Sequence, residues 1–232
     1  MTPAQQPAEP APPLAVLVSG GLDSAVLLAE SLGGRPAVFP LYVRFGLTWE
    51  PVELNYLRRF LEAIRTPALR PLHVLDMPVQ DLYGAHWGLT GEGVPGAETP
   101  DEAVFLPGRN LLLLSKAMLW CYLNGVHELA LAPLEANPFP DATPEFFSAC
   151  EAVVNQAVGG RVRVWLPYRG LSKAEVLRRG RGLPLEWTFS CIRPDDGKHC
   201  GACNKCAERR RGFAAAGEPD PTEYGQERPC SA

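Results

Sequence analysis

No apolar run in this sequence is long enough to span a bilayer, which excludes a transmembrane helix. Basic residues are not in excess either: 22 Lys and Arg face 26 Asp and Glu, for a net charge of −4. That balance argues against a broad nucleic-acid-binding surface and leaves room only for a local basic patch. Residues 1–13 have neither a basic region nor an apolar stretch of the kind that starts a secretory signal. Expected from these absences are a cytoplasmic protein with no membrane partner and reduced cysteines. At 232 residues the chain suffices for one α/β domain, or one domain with a small appendage, around a proper core.

What is present is concentrated first at Ala15-Val16-Leu17-Val18-Ser19-Gly20-Gly21-Leu22-Asp23-Ser24. A short apolar strand runs into a glycine-rich turn, and apolar residues then recur at helical spacing. Gly20 and Gly21 let the backbone approach an anion closely, and the N-terminus of the following helix favours negative charge. Ser19 and Ser24 add hydroxyls, and Asp23 suits a magnesium ion bridging phosphate oxygens. The lysine of a Walker A loop is missing, so this is a phosphate loop of another kind. Ser19-Gly20-Gly21-Leu22-Asp23-Ser24 resembles the PP-loop of the N-type ATP pyrophosphatases, which implies ATP cleavage between the α and β phosphates.

Strand and helix patterns alternate along the rest of the chain. Strands are expected at 36–45, 72–75, 128–132 and 162–166, and helices at 25–32, 54–64, 111–123, 145–158 and from 171. The alternation predicts a doubly wound, mainly parallel α/β sheet with a ligand at the carboxyl ends of its strands. Residues 1–13 and 214–232 read as flexible tails, 14–186 as the ATP-binding domain, and 187–213 as a separate small segment. The glycine-rich stretch 78–103 reads as a long loop and a possible lid.

Arg109, at the entry to a helix, has a fork suited to phosphate or carboxylate, and Asn110 can cap that helix or bind substrate. Asp141 and Glu145 follow a strand end, where they can meet substrate or metal; Thr143-Pro144-Glu145 equally suits a plain helix start. Lys173 falls in a first helical turn behind Ser172 and Glu175, where the helix dipole disfavours a cation and an anionic partner is expected.

Four of the seven cysteines, Cys191, Cys200, Cys203 and Cys206, cluster as C-x8-C-x2-C-x2-C. Four thiolates suit a closed, structural zinc site, and an iron–sulfur cluster draws on the same ligands. A thioredoxin-like redox pair would sit nearer the start of a βαβ unit. His199 borders the cluster as a supporting or substrate-facing group. Cys121 and Cys150 fall in apolar helical patterns, and Cys230 in the tail.

Taken together, Ser19–Ser24, Phe105-Leu-Pro-Gly-Arg-Asn110, Pro140-Asp141, Pro144-Glu145-Phe146, Leu171-Ser-Lys-Ala-Glu175, Phe189-Ser-Cys191 and His199 through Cys206 to Phe213 resemble the 7-cyano-7-deazaguanine synthase family over about residues 14–213. The resemblance implies an ATP-dependent C–N ligase that turns 7-carboxy-7-deazaguanine and ammonia into the nitrile, through adenylated carboxylate and amide intermediates, for queuosine biosynthesis. It implies ATP and Mg2+ on Ser19, Gly20, Gly21, Leu22, Asp23 and Ser24, and catalysis by Arg109, Lys173 and Asp23 acting on phosphate charge. It further implies substrate contacts from Asn110, Asp141 and Glu145, and Zn2+ on the four cysteines. A homodimer is expected. The family's Tyr-Gly-Gln and nearby His are replaced here by Phe45-Gly46-Leu47-Thr48-Trp49, and its Gly-x-Asn by Leu131-Ala132-Pro133. A PP-loop ligase for another carboxylate and a non-catalytic nucleotide-binding module are the competing readings.

Overall fold

In the computed structural model, residues 11–225 are described. The expectations for residues 1–10 and 226–232, Cys230 included, lie outside them. Five strands, β1 (Leu14–Leu17), β2 (Val38–Arg44), β3 (His73–Asp76), β4 (Glu128–Ala130) and β5 (Arg163–Trp165), form one parallel sheet in the order β3-β2-β1-β4-β5. The helices are α1 (Leu22–Leu32), α2 (Glu50–Ala63), α3 (Gln80–Tyr83), α4 (Trp87–Thr90), α5 (Arg109–Leu123), α6 (Pro144–Val158), α7 (Lys173–Arg179) and α8 (Asn204–Ala216). Short 3-10 turns add Asp101–Val104, Pro140–Ala142 and Leu185–Trp187.

The period of two along β1 explains why both faces are covered. Leu14, Val16 and Val18 are buried with residues of α1, α2, α7 and α8, whereas Ala15 and Leu17 are buried with residues of α5 and α6. Strand order reverses beside β1, which has β2 on one flank and β4 on the other. Their carboxyl ends diverge there and leave the crevice where such sheets bind ligands.

Residues 78–103 are less irregular than the glycine count predicts. The His86 Nδ1 caps α4 by accepting from the Gly88 N–H at 3.1 Å, and Gly91, at φ +77°, closes that turn in the left-handed region. The end of this stretch is stitched to the cysteine segment. Gly96 bridges Cys203, the Ala97 N–H donates to the Ala202 carbonyl, and the Asn204 N–H donates to the Pro95 carbonyl. The Asn204 Nδ2 adds a bond to the Thr99 carbonyl at 2.8 Å.

Past residue 213, α8 continues to Ala216, and 220–225 fold back onto it. The fully buried Arg209 guanidinium anchors this return. It donates to Thr222 Oγ1 at 2.5 Å, Thr188 Oγ1 at 2.9 Å and the Leu185 carbonyl at 3.0 Å. Among the described residues, no helix is long and apolar enough to cross a membrane.

Candidate active site

The turn after β1 is built by its own side chains. Ser24 Oγ accepts from the Ser19 N–H at 3.2 Å and donates to the Gly21 carbonyl at 3.2 Å. Phe189 pins the loop from outside, its N–H donating to the Gly20 carbonyl at 2.7 Å. Gly20 has φ +74°, and a Cβ there would lie 2.8 Å from Glu53 Cγ. A side chain therefore faces strain and a clash together. Gly20→Ala is expected to lower stability by about 1–3 kcal/mol and to weaken ATP binding further, checked by denaturant unfolding and by nucleotide titration.

Asp23, in the first turn of α1, takes the Lys173 ammonium on Oδ2 at 2.6 Å, while its buried Oδ1 has no hydrogen-bond partner. Lys173 Nζ also lies 3.2 Å from Glu208 Oε1, and Glu208 in turn holds Lys205 at 2.5 Å. The anionic partner expected for Lys173 is thus supplied within the chain, by carboxylates of α1 and α8. Burial pulls the Lys173 pKa down, but Asp23 and Glu208 outweigh it, and the net shift is upward. Burial pushes Glu208 upward, yet Lys173 and Lys205 prevail and hold it at about 2. Gly212 allows this packing, because a Cβ there would come 2.7 Å from Lys173 Cγ.

Arg109 opens α5 behind Gly108, whose φ of +75° redirects the chain into the helix. Its buried Nε has no partner. Two orphaned polar atoms, the Arg109 Nε and the Asp23 Oδ1, belong to residues that border one cavity of about 320 Å³. A donor and an acceptor left unpaired there fit a triphosphate with its divalent cation, since buried polar groups otherwise find partners. Ser19, Gly21, Ser24 and Asn110 share the cavity wall, whose remainder includes Trp49, Trp87 and Phe139. Trp49 and Trp87 stack at 5.6 Å between ring centroids.

Asp141 is buried but does not line the cavity. It accepts from the Asn110 N–H at 2.9 Å, and its carbonyl accepts from Asn110 Nδ2 at 2.9 Å, so it fixes the start of α5. Glu145 is exposed in the first turn of α6, which Thr143 caps by accepting from the Phe146 N–H at 3.2 Å.

The four cysteine sulfurs lie within 4.8 Å of one another, all buried. Backbone N–H groups of Arg193 and Cys200 donate to Cys191 Sγ at 3.3 Å, as thiolate ligands require. The Cys191–Cys203 sulfur separation is 3.8 Å. Tetrahedral ligands about 2.3 Å from one zinc stand about 3.8 Å apart, so the spacing suits a single ion. His199, beside the cluster, is buried and held near pKa 3, mainly by burial and then by Arg209; its Nε2 accepts from the Ser190 N–H.

Sequence reasoning missed Tyr42, Glu50, Glu53, Lys205 and Glu208. For Glu53 a signal existed: it falls four residues before Leu57 and seven before Phe60, placing a carboxylate on the buried stripe of an amphipathic helix.

A parallel sheet in this order, with Ser-Gly-Gly-x-Asp-Ser at its first strand end and unpaired polar groups on residues that border the crevice, defines an ATP-binding protein of the PP-loop pyrophosphatase class. The chain belongs to the QueC family of queuosine biosynthesis proteins, described as "Queuosine biosynthesis protein QueC", which matches residues 14–217. Relatives named 7-cyano-7-deazaguanine synthase include one from Aromatoleum aromaticum, 34% identical over 223 residues, spanning 90% of this chain and 96% of that protein. Another, from Xanthomonas oryzae pv. oryzae, is 35% identical over 228 residues with the same coverage. A 4-thiouridine synthetase solved with RNA and bound ATP shares the fold: TM-score 0.50 at 13% identity, over 89% of this chain and 50% of that one. The chain is therefore an ATP-dependent enzyme with a role in queuosine biosynthesis.

Proposed function

We propose that this enzyme converts 7-carboxy-7-deazaguanine and ammonia to 7-cyano-7-deazaguanine, consuming ATP to activate first the carboxylate and then the amide. The observation that carries the reading is the convergence of the Ser19–Ser24 loop, Arg109 and an aromatic wall on one cavity, in a chain whose relatives bear that name. Oxygen leaves poorly from a carboxylate or an amide, whereas AMP leaves readily. The loop would seat the phosphates and Asp23 the Mg2+, with Arg109 and Lys173 balancing charge as pyrophosphate departs. Asn110 would contact substrate, positioned by Asp141. No side chain is needed as a covalent nucleophile; proximity and electrostatics suffice. The four cysteines would hold Zn2+, whose contribution is structural. The setting is cytoplasmic.

The deciding assay follows AMP and pyrophosphate from Mg-ATP and ammonium, with and without 7-carboxy-7-deazaguanine, and identifies the product by mass. Substrate-dependent AMP with a nitrile product supports the reading; ATP binding without that turnover overturns it.

The partner protein is a second copy of the chain. The packed helices α5 and α6 expose Leu123 at 77% and Val153 at 65%, with Leu119 and Tyr122 beside them in α5. Light scattering is expected to give a dimeric mass for the wild type and a monomeric mass for L123K/V153K; a monomeric wild type refutes the dimer.

A further inference from the structure

Two glutamates stand one helical turn apart at the start of α2, and the structure explains only one of them. Glu50 spends both carboxylate oxygens on backbone: Oε1 accepts from the Phe45 N–H at 2.8 Å, and Oε2 from those of Gly46 at 2.8 Å and Leu47 at 3.1 Å. It fixes the loop leaving β2. Glu53 holds no loop. Its Oε2 accepts the Tyr42 hydroxyl at 2.5 Å, and among the described residues its Oε1 accepts no hydrogen bond. The residue is buried, its side chain lies against the Gly20 backbone of the phosphate loop, and it lines the cavity that Ser19, Arg109 and Asn110 border. A carboxyl on the apolar stripe of a helix costs desolvation that fold stability does not require.

We propose that Glu53 is the proton acceptor for the reacting nitrogen. The inference rests on the reaction proposed above. In the first half, the ammonia nitrogen bonds to the activated carboxyl carbon and the bond from that carbon to the AMP oxygen breaks, its electron pair leaving with the phosphate. The proton shed by the nitrogen goes to Glu53. In the second half, the amide nitrogen loses one proton as its oxygen is adenylated. It loses another as AMP departs, and the electrons of that last N–H bond complete the C≡N bond. Glu53 takes one proton at a time and returns it to water between steps.

The surroundings suit the role. Burial, with a smaller push from the Glu50 charge, outweighs the lowering effects of the Tyr42 hydrogen bond and the Arg109 charge and leaves the Glu53 pKa raised to about 8. Across the cavities that Glu53 lines stand Asp23 from α1, Lys173 from α7, and Lys205 and Glu208 from α8. A base must be deprotonated to act, so activity should rise with pH through a limb near that value.

The test supplies the amide directly with Mg-ATP, which removes the ionisation of ammonia, and follows nitrile formation from about pH 6 to 9. Glu53→Gln is expected to slow the reaction about 100-fold and to abolish the limb, with Mg-ATP affinity changed less than about twofold. Tyr42→Phe removes a bond that favours the carboxylate, so its limb moves to higher pH. A Glu53→Gln enzyme within about threefold of wild type with its limb intact, or a Tyr42→Phe enzyme with an unmoved limb, overturns the proposal. The second criterion stands even if Glu53→Gln fails to fold. A wild-type enzyme that makes no nitrile from the amide refutes the reaction itself, a separate outcome.

Discussion

Lys173→Met is expected to lower kcat by about 10²–10³-fold, the scale seen when one preorganised donor to developing charge is removed. Methionine preserves the stem that fits over Gly212, so the loss reports the ammonium rather than a cavity. The same variant carries a stability signature. In the wild type, Glu208 is held at about 2, below its unfolded value near 4.5. A depressed carboxyl contributes stability above its unfolded pKa and forfeits it as pH falls toward the folded one, so the wild type should lose stability between about pH 4.5 and 2. Without Lys173, Asp23 and Glu208 are left as partly buried like charges, and acidification through the same window should cost the variant less. Thermal melts of both proteins across that range check the sign. Equal slopes would show that the lysine does not couple the two carboxylates.

Removing the metal should have a comparably large effect. Cys200→Ser, or chelation of the wild type, is expected to reduce bound metal from one ion per chain to none and to lower Tm by more than about 10 °C. Closed four-thiolate sites contribute an apparent 10–16 kcal/mol in small zinc domains, as much as an entire domain's net stability. Elemental analysis beside the melt separates zinc from iron. A variant with unchanged Tm and unchanged metal content would remove the four cysteines from the account of the fold.

Much of this was legible in residue order alone. Ser19–Ser24 announces a phosphate loop because glycine and hydroxyl residues there serve a close anion, and the capping box of Ser172 and Glu175 forms as its spacing predicts. The cysteine spacing likewise anticipates the clustered sulfurs. The ionic chain Asp23–Lys173–Glu208–Lys205 was not legible, because Asp23, Lys173 and the Lys205–Glu208 pair are far apart in sequence and meet only when α1, α7 and α8 pack. Asp141 and Glu145 illustrate the opposite case. Their proximity to a strand end suggested a pocket role, but whether a carboxylate faces a cavity or a helix terminus is decided by the turn at Pro140–Ala142 and by Thr143, and spacing does not encode it.

The stitching of residues 95–99 to the cysteine segment also bears on how the enzyme is made. Asn204 reaches back 105 residues to the Thr99 carbonyl, so the rim that leads from Trp87 to Leu106 waits for a segment made about a hundred residues later. Strands β1, β2 and β3 pair with near neighbours in sequence, but β4 joins β1 across more than 110 residues, and contacts of such separation close late. The cavity wall between Trp87 and Leu106 is therefore completed only once the segment carrying Asn204 has packed against it, so a lesion in that segment is felt at the far side of the site.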